Sequence, residues 1–238
     1  MPSSTLANSP LLSWLVGYES KRKQLLKKAP EGALRDFLSV PLPDLQTPID
    51  KVNILAVDFE TTGLDAKQDK LLSVGFVALK QQQISLNSSY HQIIKTKEQL
   101  QESNVIIHHI TDSQKEQGKA LATVVETLLQ ALAGKVMLVH FARIEKQFLT
   151  QACLELYGMA PVFPMIDTLA LAKRRLDKRD VAYDPSELRL TNLRQNFKLP
   201  DHHAHNALND AIATAELFMA QMSKANKDGK VILKDVLL

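Results

Sequence analysis

The segment ILAVDFETTGLD, residues 54–65, constrains the fold of this chain more than any other. Its apolar run predicts a buried β-strand, and Asp58 and Glu60 stand two residues apart at the end of that run. Side chains at i and i+2 of a strand point to the same face, so the two carboxylates converge above the sheet. Two anions held together there are costly to desolvate, and oxygen ligands alone favour Mg²⁺ or Mn²⁺ over Zn²⁺. A solvated turn that carries two acids is the alternative interpretation.

The rest of the chain predicts an α/β fold. Three strands come first, joined by short polar connections that favour antiparallel neighbours: 52–58, 71–79 and 84–94. Helices then alternate with two further strands, which favours parallel pairing with right-handed crossovers: helix 118–133, strand 136–140, helix 142–157, strand 162–166 and helix 168–177. We therefore expect a mixed five-stranded sheet flanked by helices. The strand that bears Asp58 would lie near the switch between the halves, where such sheets place their sites.

Residues 1–50 differ in pattern from the remainder of the chain, and we predict a helical N-terminal extension and linker. Leucines and lysines form a broken helical pattern, a second short helix is predicted from 31 to 38, and three prolines lie in 39–48. This basic extension is a candidate for binding a protein partner or nucleic acid, although a solvated helix face is the favoured explanation of its charge. The main domain is predicted at 51–225, and a C-terminal tail at 226–238.

Composition narrows the functional classes. The formal net charge of +3 permits an anionic partner without requiring one. The single cysteine, Cys153, excludes an intrachain disulfide and is predicted to be a small core residue. No apolar run approaches the length that spans a bilayer, and the first positive charges come after a short apolar patch, the wrong order for a secretory signal. We expect a cytoplasmic protein that does not associate with membranes.

A third acid is predicted to join the first pair. Residues 202–218 predict a helix from Ala207, with Asp210 on its inward stripe beside small residues that let the helix lie close to the sheet. An inward acid needs a partner, and a metal shared with Asp58 and Glu60 would supply one.

His205 precedes this helix, with Asn206 as the candidate N-cap, so its imidazole could swing toward the same site. Histidines also stand at positions 202 and 203, and a histidine in such a place is more often a surface or capping residue.

The segment LVHFARIEKQFL, residues 138–149, supplies the fourth acid. Its strand is predicted to end at the same edge as Asp58, and Glu145 lies in the first turns of the following helix. Ile144 and Phe148 belong to the stripe that holds this helix on the sheet, and Glu145 borders it. Taken alone, Glu145 is an ordinary acid near a helix N-terminus, where the helix dipole favours it.

Together these motifs resemble those of the DEDDh exonucleases, the proofreading type of the epsilon subunit of bacterial DNA polymerase III, on a ribonuclease H-like fold. DFETTG at 58–63 matches the family pattern D-x-E-T/A-T-G, and HNALND at 205–210 matches H-x-A-x-x-D. IHHIT at 107–111 and IDT at 166–168 resemble further landmarks of the family. The resemblance covers about residues 51–222.

The second motif departs from the family pattern H-N-A-x-F-D. It reads HFARIE here, from His140 to Glu145, so Phe141 stands in place of the asparagine and Glu145 in place of the aspartate. The glutamate keeps the charge and adds one methylene, so its helix has to sit slightly farther back. One polar substrate contact is lost with the asparagine.

The resemblance implies two divalent cations, Mg²⁺ or Mn²⁺. It implies that Asp58 bridges both, that Glu60 and Asp210 hold the first, that Glu145 steadies the second and that His205 takes a proton from the attacking water. Substrate contacts are expected at four further positions: Thr61, Thr62, Leu64 and His140.

The implied reaction is the 3′ to 5′ removal of nucleoside 5′-monophosphates from single-stranded nucleic acid, with DNA favoured over RNA. Three alternatives stay open. The chain could trim RNA, it could be an inactive nucleic-acid-binding module, or it could be a phosphatase with Asp58 as nucleophile, which leaves His205 and Asp210 without a role.

Overall fold

The structure is a computed structural model that describes residues 10–96, 116–178 and 182–238. The predicted landmark at 107–111 lies outside the described residues. Within the described ranges, five strands form one sheet in the order β3-β2-β1-β4-β5. Their bounds are β1 Ile54–Thr61, β2 Leu71–Lys80, β3 Gln83–Ile93, β4 Val136–Val139 and β5 Met165–Asp167.

The pairing confirms the predicted mixed sheet. Strand β1 pairs antiparallel with β2, which pairs antiparallel with β3. On its other side β1 pairs parallel with β4, which pairs parallel with β5. Strand β1 is therefore the junction of the two halves, and all but one of its residues are buried. This explains why it reads as an almost continuous apolar run.

Helices cover both faces of the sheet. The helices of the described ranges are α1 Pro10–Leu26, α2 Ala33–Ser39, α3 Leu121–Leu132, α4 Arg143–Tyr157, α5 Thr168–Asp177, α6 Leu190–Asn196, α7 Ala207–Ala225 and α8 Leu233–Val236. Short 3₁₀ turns occur at Ile49–Lys51 and Pro185–Leu188. Among the described residues, no helix combines the length and the apolar character that crossing a membrane requires.

Strand alternation divides the core into two layers. Leu55 and Val57 face one layer, where they join buried side chains of α2, α3 and α4. Ile54 and Ala56 face the other layer, which α7 and the C-terminal segment cover. Cys153 is fully buried in the first layer, as predicted for a small core residue.

Strand β5 lies later than predicted. Residues 162–166 were the expected strand, whereas pairing with β4 runs from Met165 to Asp167. Pro161 and Pro164 explain the shift, because a proline has no N–H to donate to a neighbouring strand. The carbonyl of Pro164 accepts a hydrogen bond from Met137 N at 3.0 Å just before the ladder begins.

The segments on either side of the predicted main domain pack into the same cores. The sequence pattern before residue 30 is broken, yet α1 is one continuous helix. Leu34 and Leu38 of α2 are buried against the first layer. At the other terminus, Leu233 lies in the second layer. The predicted division at 50 and 225 stays a prediction, since both flanking segments contribute buried side chains.

Candidate active site

Three carboxylates meet at one edge of the sheet. Asp58 and Glu60 come from the C-terminal end of β1, and Asp210 comes from the first turn of α7. One carboxylate oxygen of each lies within 4.8 Å of the other two. The i, i+2 geometry of the strand and the inward stripe of the helix therefore bring together residues separated by about 150 positions, as predicted.

A glycine on the neighbouring strand lets α7 approach this closely. Gly75 of β2 pairs with Asp58 of β1. A Cβ atom at Gly75 would lie 2.2 Å from the backbone carbon of Ala207 and 2.2 Å from the backbone nitrogen of Leu208. Only a residue without a side chain permits the first turn of α7 to rest directly on β2. The position of Asp210 beside Asp58 depends on that contact.

Helix α7 begins as the sequence predicts. The side chain of Asn206 accepts a hydrogen bond from Asn209 N at 3.2 Å, which caps the helix. Asp210 lies in the first turn and is partly buried. Its Oδ2 accepts a hydrogen bond from His205 N at 2.9 Å, so the segment before the helix folds back over the carboxylate.

Glu145 lies on the buried face of α4. The sequence predicted that it borders the stripe containing Ile144, but Glu145 is only 3% exposed and Ile144 is the more exposed of the two. The helix is thus rotated so that Glu145 points inward with Phe148 and Leu149. Burial, and after it the charge of Glu145, raises the pKa of Asp58.

Burial and mutual repulsion dominate the electrostatics of this site. Burial raises the pKa of Asp58 well above its ordinary value, and the charges of Glu145, Asp210 and Glu60 raise it further. Burial also raises the pKa of Glu145 to about 8, opposed by a backbone hydrogen bond and reinforced by nearby carboxylates. The pKa of Asp210 is raised mainly by burial. Clustered acids of this kind need a compensating positive charge in order to ionise together.

The residues fit a divalent cation. Oε2 of Glu145 is buried and has no hydrogen-bond partner among the described residues, and Oδ1 of Asp210 is buried beside the imidazole of His202. Asp58, Glu60 and Asp210 offer hard carboxylate oxygens within 4.8 Å of one another, a spacing that suits a shared ion. The acidic cluster is therefore compatible with divalent metal binding, and the full set of four ligands stays a prediction.

Two histidines lie beside Asp210. His205 is exposed, with a backbone φ of 65° that histidine tolerates better than most residues. His202 was not predicted, and its Nε2 lies 2.9 Å from Oδ1 of Asp210. The charges of both imidazoles lower the pKa of Asp210 against the effect of burial. The cluster of three histidines near the acidic motif was a signal, but spacing alone did not reveal which one touches the carboxylate.

Polar groups at the end of β1 and in the turn that follows it form hydrogen bonds with one another. Thr61 Oγ1 donates to the carbonyl of Gly63 at 2.7 Å, and Thr62 Oγ1 donates to Asp69 Oδ1 at 3.1 Å. Thr62 N donates to the carbonyl of Lys70 at 3.0 Å. The predicted substrate contacts of Thr61 and Thr62 thus require these groups to exchange or share partners.

Leu64 occupies the tip of the same turn, and 72% of its surface is exposed. An exposed leucine beside a charged site is available for contact with an apolar part of a ligand, and the substrate contact expected at Leu64 stays a prediction.

His140 contributes to the framework of the site. Its Nδ1 lies 2.8 Å from Thr168 Oγ1, and Thr168 Oγ1 also donates to the carbonyl of Val139 at 3.2 Å. Nε2 of His140 is buried, and burial lowers the pKa of the imidazole to about 4. The ring thus links the end of β4 to the start of α5, and the substrate contact expected at His140 stays a prediction.

Asp167 is the residue that sequence reasoning left without a role in the site. It caps α5, and its carboxylate also accepts hydrogen bonds at 3.0 Å from the backbone N–H groups of Phe141 and Ala142. Its charge helps to raise the pKa of Glu145. Asp167 therefore ties the start of α4, which carries Glu145, to the end of β5. The IDT motif at the start of a helix indicated the cap but not this second contact.

Phe141 adopts an unusual conformation in this framework. Its φ is 71°, in the left-handed region that bulky side chains avoid. Such a conformation costs on the order of 1–3 kcal/mol and persists only where neighbouring contacts impose it. The hydrogen bond from Phe141 N to Asp167 is such a contact. The ring is 43% exposed.

A cluster of carboxylates at the edge of this mixed α/β sheet is compatible with the site of a metal-dependent hydrolase. Residues 55–218 match the family model RNase_T, described as "Exonuclease". The chain belongs to this exonuclease family.

Known proteins agree with this assignment. The chain is 28% identical over 187 residues to DNA polymerase III PolC-type of Thermotoga petrophila. The aligned region covers 79% of this chain but only 13% of that protein. It is 28% identical over 173 residues to DNA polymerase III subunit epsilon of Treponema pallidum, covering 72% of this chain and 77% of that subunit. The nuclease domain of 3′hExo, a DEDDh family member solved bound to rAMP, shares the fold with a TM-score of 0.61 at 16% identity. That match covers 74% of this chain and 93% of the domain.

Proposed function

We propose that this chain hydrolyses phosphodiester bonds at the 3′ end of single-stranded DNA and releases nucleoside 5′-monophosphates. The observation that carries the proposal is the meeting of Asp58, Glu60 and Asp210 within 4.8 Å of one another, with Glu145 buried beside them. DNA is favoured because the relatives in Thermotoga petrophila and Treponema pallidum are named as parts of DNA polymerase III. The active form holds two divalent cations, Mg²⁺ or Mn²⁺.

The carboxylates would hold the ions in the arrangement that the family resemblance implies. Asp58, Glu60, Asp210 and Glu145 would together hold the two ions. When bound, such ions would supply activation of a water and stabilisation of the negative charge on the leaving oxygen of a phosphodiester. The buried position of the carboxylates keeps them fixed relative to the scissile bond, so little reorganisation accompanies the reaction.

His205 is the proposed general base. It is exposed, it lies just before the N-cap of the helix that carries Asp210, and an imidazole nitrogen can accept a proton from water. Its backbone N–H holds Asp210 Oδ2 at 2.9 Å, which keeps the imidazole next to the acidic cluster. Leu64, at the exposed tip of the turn after β1, would contact the terminal bases.

The direct test is cleavage of a 5′-labelled single-stranded DNA in the presence of Mg²⁺ or Mn²⁺. Attack from the 3′ end gives a ladder of progressively shorter labelled products, whereas attack from the 5′ end releases the label at once. Asp58→Asn should lower kcat/KM by at least about 10³-fold, because catalytic groups that act as a unit fail together. Asp228→Asn, at an exposed turn, is the matched control and should retain activity.

The same assay separates the alternatives. Faster degradation of a matched RNA strand would reassign the enzyme to RNA trimming. Binding of the strand without metal-dependent release of nucleotides would identify an inactive binding module. Equal cleavage by wild type and Asp58→Asn would overturn the proposal.

A further inference from the structure

Phe141 is an exposed aromatic residue on the loop that joins β4 to α4. Its ring is 43% exposed and belongs to none of the three apolar cores formed by the described residues. The next residue, Ala142, is buried, and Glu145 of the acidic site comes three residues later on α4. An aromatic ring that contributes to no core has its apolar faces available for a ligand.

The backbone at Phe141 is held in a conformation that its side chain disfavours. The left-handed φ of 71° suits glycine or asparagine, and a bulky residue there is an outlier. Both oxygens of the Asp167 carboxylate bind this loop, Oδ1 to Phe141 N and Oδ2 to Ala142 N, each at 3.0 Å. The loop is thus fixed by a buried carboxylate, and a phenylalanine occupies a position where glycine or asparagine would be less strained. Strain of this kind clusters at functional sites.

The sheet brings this loop to the same edge as the turn that carries Leu64. Strands β1 and β4 are parallel neighbours with Ala56 opposite Leu138, so the loops at their C-terminal ends leave the same edge of the sheet. Neighbouring strands lie roughly 5 Å apart. Leu64 and Phe141 are therefore two exposed apolar side chains on adjacent loops, next to the strand end that carries Asp58 and Glu60.

We propose that Phe141 is a substrate-contacting residue that stacks on a base at or next to the 3′ end of the bound strand. The inference rests on the proposed function and adds to it a determinant of how the end is held. A planar apolar ring recognises the face of any base, so the contact would be tolerant of sequence. Stacking by Phe141 would take the place of the polar contact that an asparagine would make at this position. Cleavage would then depend on the presence of a base at the 3′ end.

The test compares two substrates that differ only in whether the two 3′-terminal nucleotides carry bases or are abasic. For the wild type we expect kcat/KM to be about 10- to 100-fold lower on the abasic strand, the factor expected for loss of one stacking contact. Phe141→Leu keeps an apolar side chain without a planar ring. It should lower kcat/KM on the normal strand by a similar factor and leave the abasic strand nearly unchanged.

Two further variants distinguish contact from structure. Phe141→Asn should lower activity on the normal strand while raising thermal stability, because asparagine accepts the left-handed backbone. Phe141→Trp should retain the preference for a base. Leu154→Asn is the control, since Leu154 lies on α4 with a similar exposure of 44%, and it should change neither rate.

A binding measurement keeps this inference separate from the proposed function. A strand with 2-aminopurine at its 3′ end should lose fluorescence on binding to wild type in Ca²⁺, and less so on binding to Phe141→Leu. Base-dependent quenching without cleavage in Mg²⁺ or Mn²⁺ would overturn the proposed function and leave the role of Phe141 in binding intact. Equal effects of Phe141→Leu on normal and abasic strands, or equal quenching by wild type and variant, would overturn the role of Phe141. Absence of any binding would overturn both.

Discussion

Glu145 behaves differently from an ordinary acid near a helix N-terminus because it is buried beside other carboxylates. Water cannot solvate its charge, and neighbouring charges oppose ionisation, so its pKa rises to about 8 from an ordinary value of 4.5. In a metal-free protein this carboxyl remains protonated at a pH at which the unfolded chain has already lost the proton. The stability of the metal-free protein is therefore linked to pH through this residue.

The sign of the linkage gives a prediction. Below about pH 4.5 the Glu145 carboxyl is protonated in both the folded and the unfolded protein, and the folded state has its full stability. As the pH rises toward 8, only the unfolded protein releases this proton, so the free energy of unfolding falls. Urea unfolding in EDTA should show this decrease, on the order of a few kcal/mol. Glu145→Gln should reduce the slope and be more stable than wild type at pH 8. Glu155→Gln, an exposed acid on the same helix, should leave the slope intact. Identical slopes for Glu145→Gln and wild type would refute this account of Glu145.

At the residue scale, the sequence predicted the side chains whose placement depends on local periodicity. Asp58 and Glu60 share a strand face, and Asp210 shares a helix stripe, so their convergence could be inferred from spacing. The contacts of His202 with Asp210 and of Asp167 with the start of α4 depend on how distant segments pack. No local pattern encodes that packing, so these two residues were found only in the structure.

At the scale of elements, the approach of α7 to β2 decides whether the site forms. A methyl group on Gly75 would lie 2.2 Å from the backbone of α7 and force the helix away from the sheet. Gly75→Ala should cost about 1–3 kcal/mol of stability and should lower nuclease activity, because Asp210 moves with the helix.

Thermal unfolding and single-strand cleavage check this prediction together. Gly17→Ala is the matched control, because Gly17 lies within α1 and an added Cβ would meet no atom within 4 Å. That change should stabilise the protein slightly, by roughly 0.5–1 kcal/mol. Wild-type stability and activity in Gly75→Ala would show that α7 does not rest on β2.

Element type was predictable and element position less so. Strands β1 to β4 are marked by apolar runs, and helices α3, α4, α5 and α7 by helical periodicity, so the sequence predicts them; the short helices α6 and α8 were not predicted. Strand β5 has three residues, too few to show a period, so its prolines were needed to locate it. The orientation of α4 was also missed, because Glu145 was assumed to border an apolar stripe, whereas the site draws it into the buried face.

At the scale of the whole molecule, the terminal segments help to close the cores around the sheet. Ile49 N donates to the carbonyl of Val231 at 3.0 Å, Leu233 N to that of Thr47 at 2.9 Å, and Leu238 N to that of Met165 at 3.0 Å. The C-terminal segment thus links the segment before β1 to β5. The sequence predicted only a C-terminal tail at 226–238, because the pattern of so short a segment does not indicate which parts of the fold it contacts.

Leu233 tests this role. It is 1% exposed, and Leu233→Ala should destabilise the protein by about 2–5 kcal/mol, since truncation of a buried leucine removes apolar contacts and leaves a cavity. Lys230→Ala, three residues earlier and exposed, should stay within about 0.5 kcal/mol of wild type. Chemical unfolding of the two variants measures the difference, and equal stabilities would mean that the segment is not part of the core.

The most direct test of the central claim, that the clustered carboxylates form a divalent-metal site, is the effect of Mn²⁺ on thermal unfolding of wild type and Asp58→Asn. A cation that binds only the folded cluster raises Tm by mass action, so wild type should gain several degrees in saturating Mn²⁺ relative to EDTA. Asp58→Asn should lose that gain, while its Tm in EDTA should equal or exceed that of wild type because one buried negative charge has been removed. The same Mn²⁺-induced increase in both proteins, or no increase in wild type, would contradict the account.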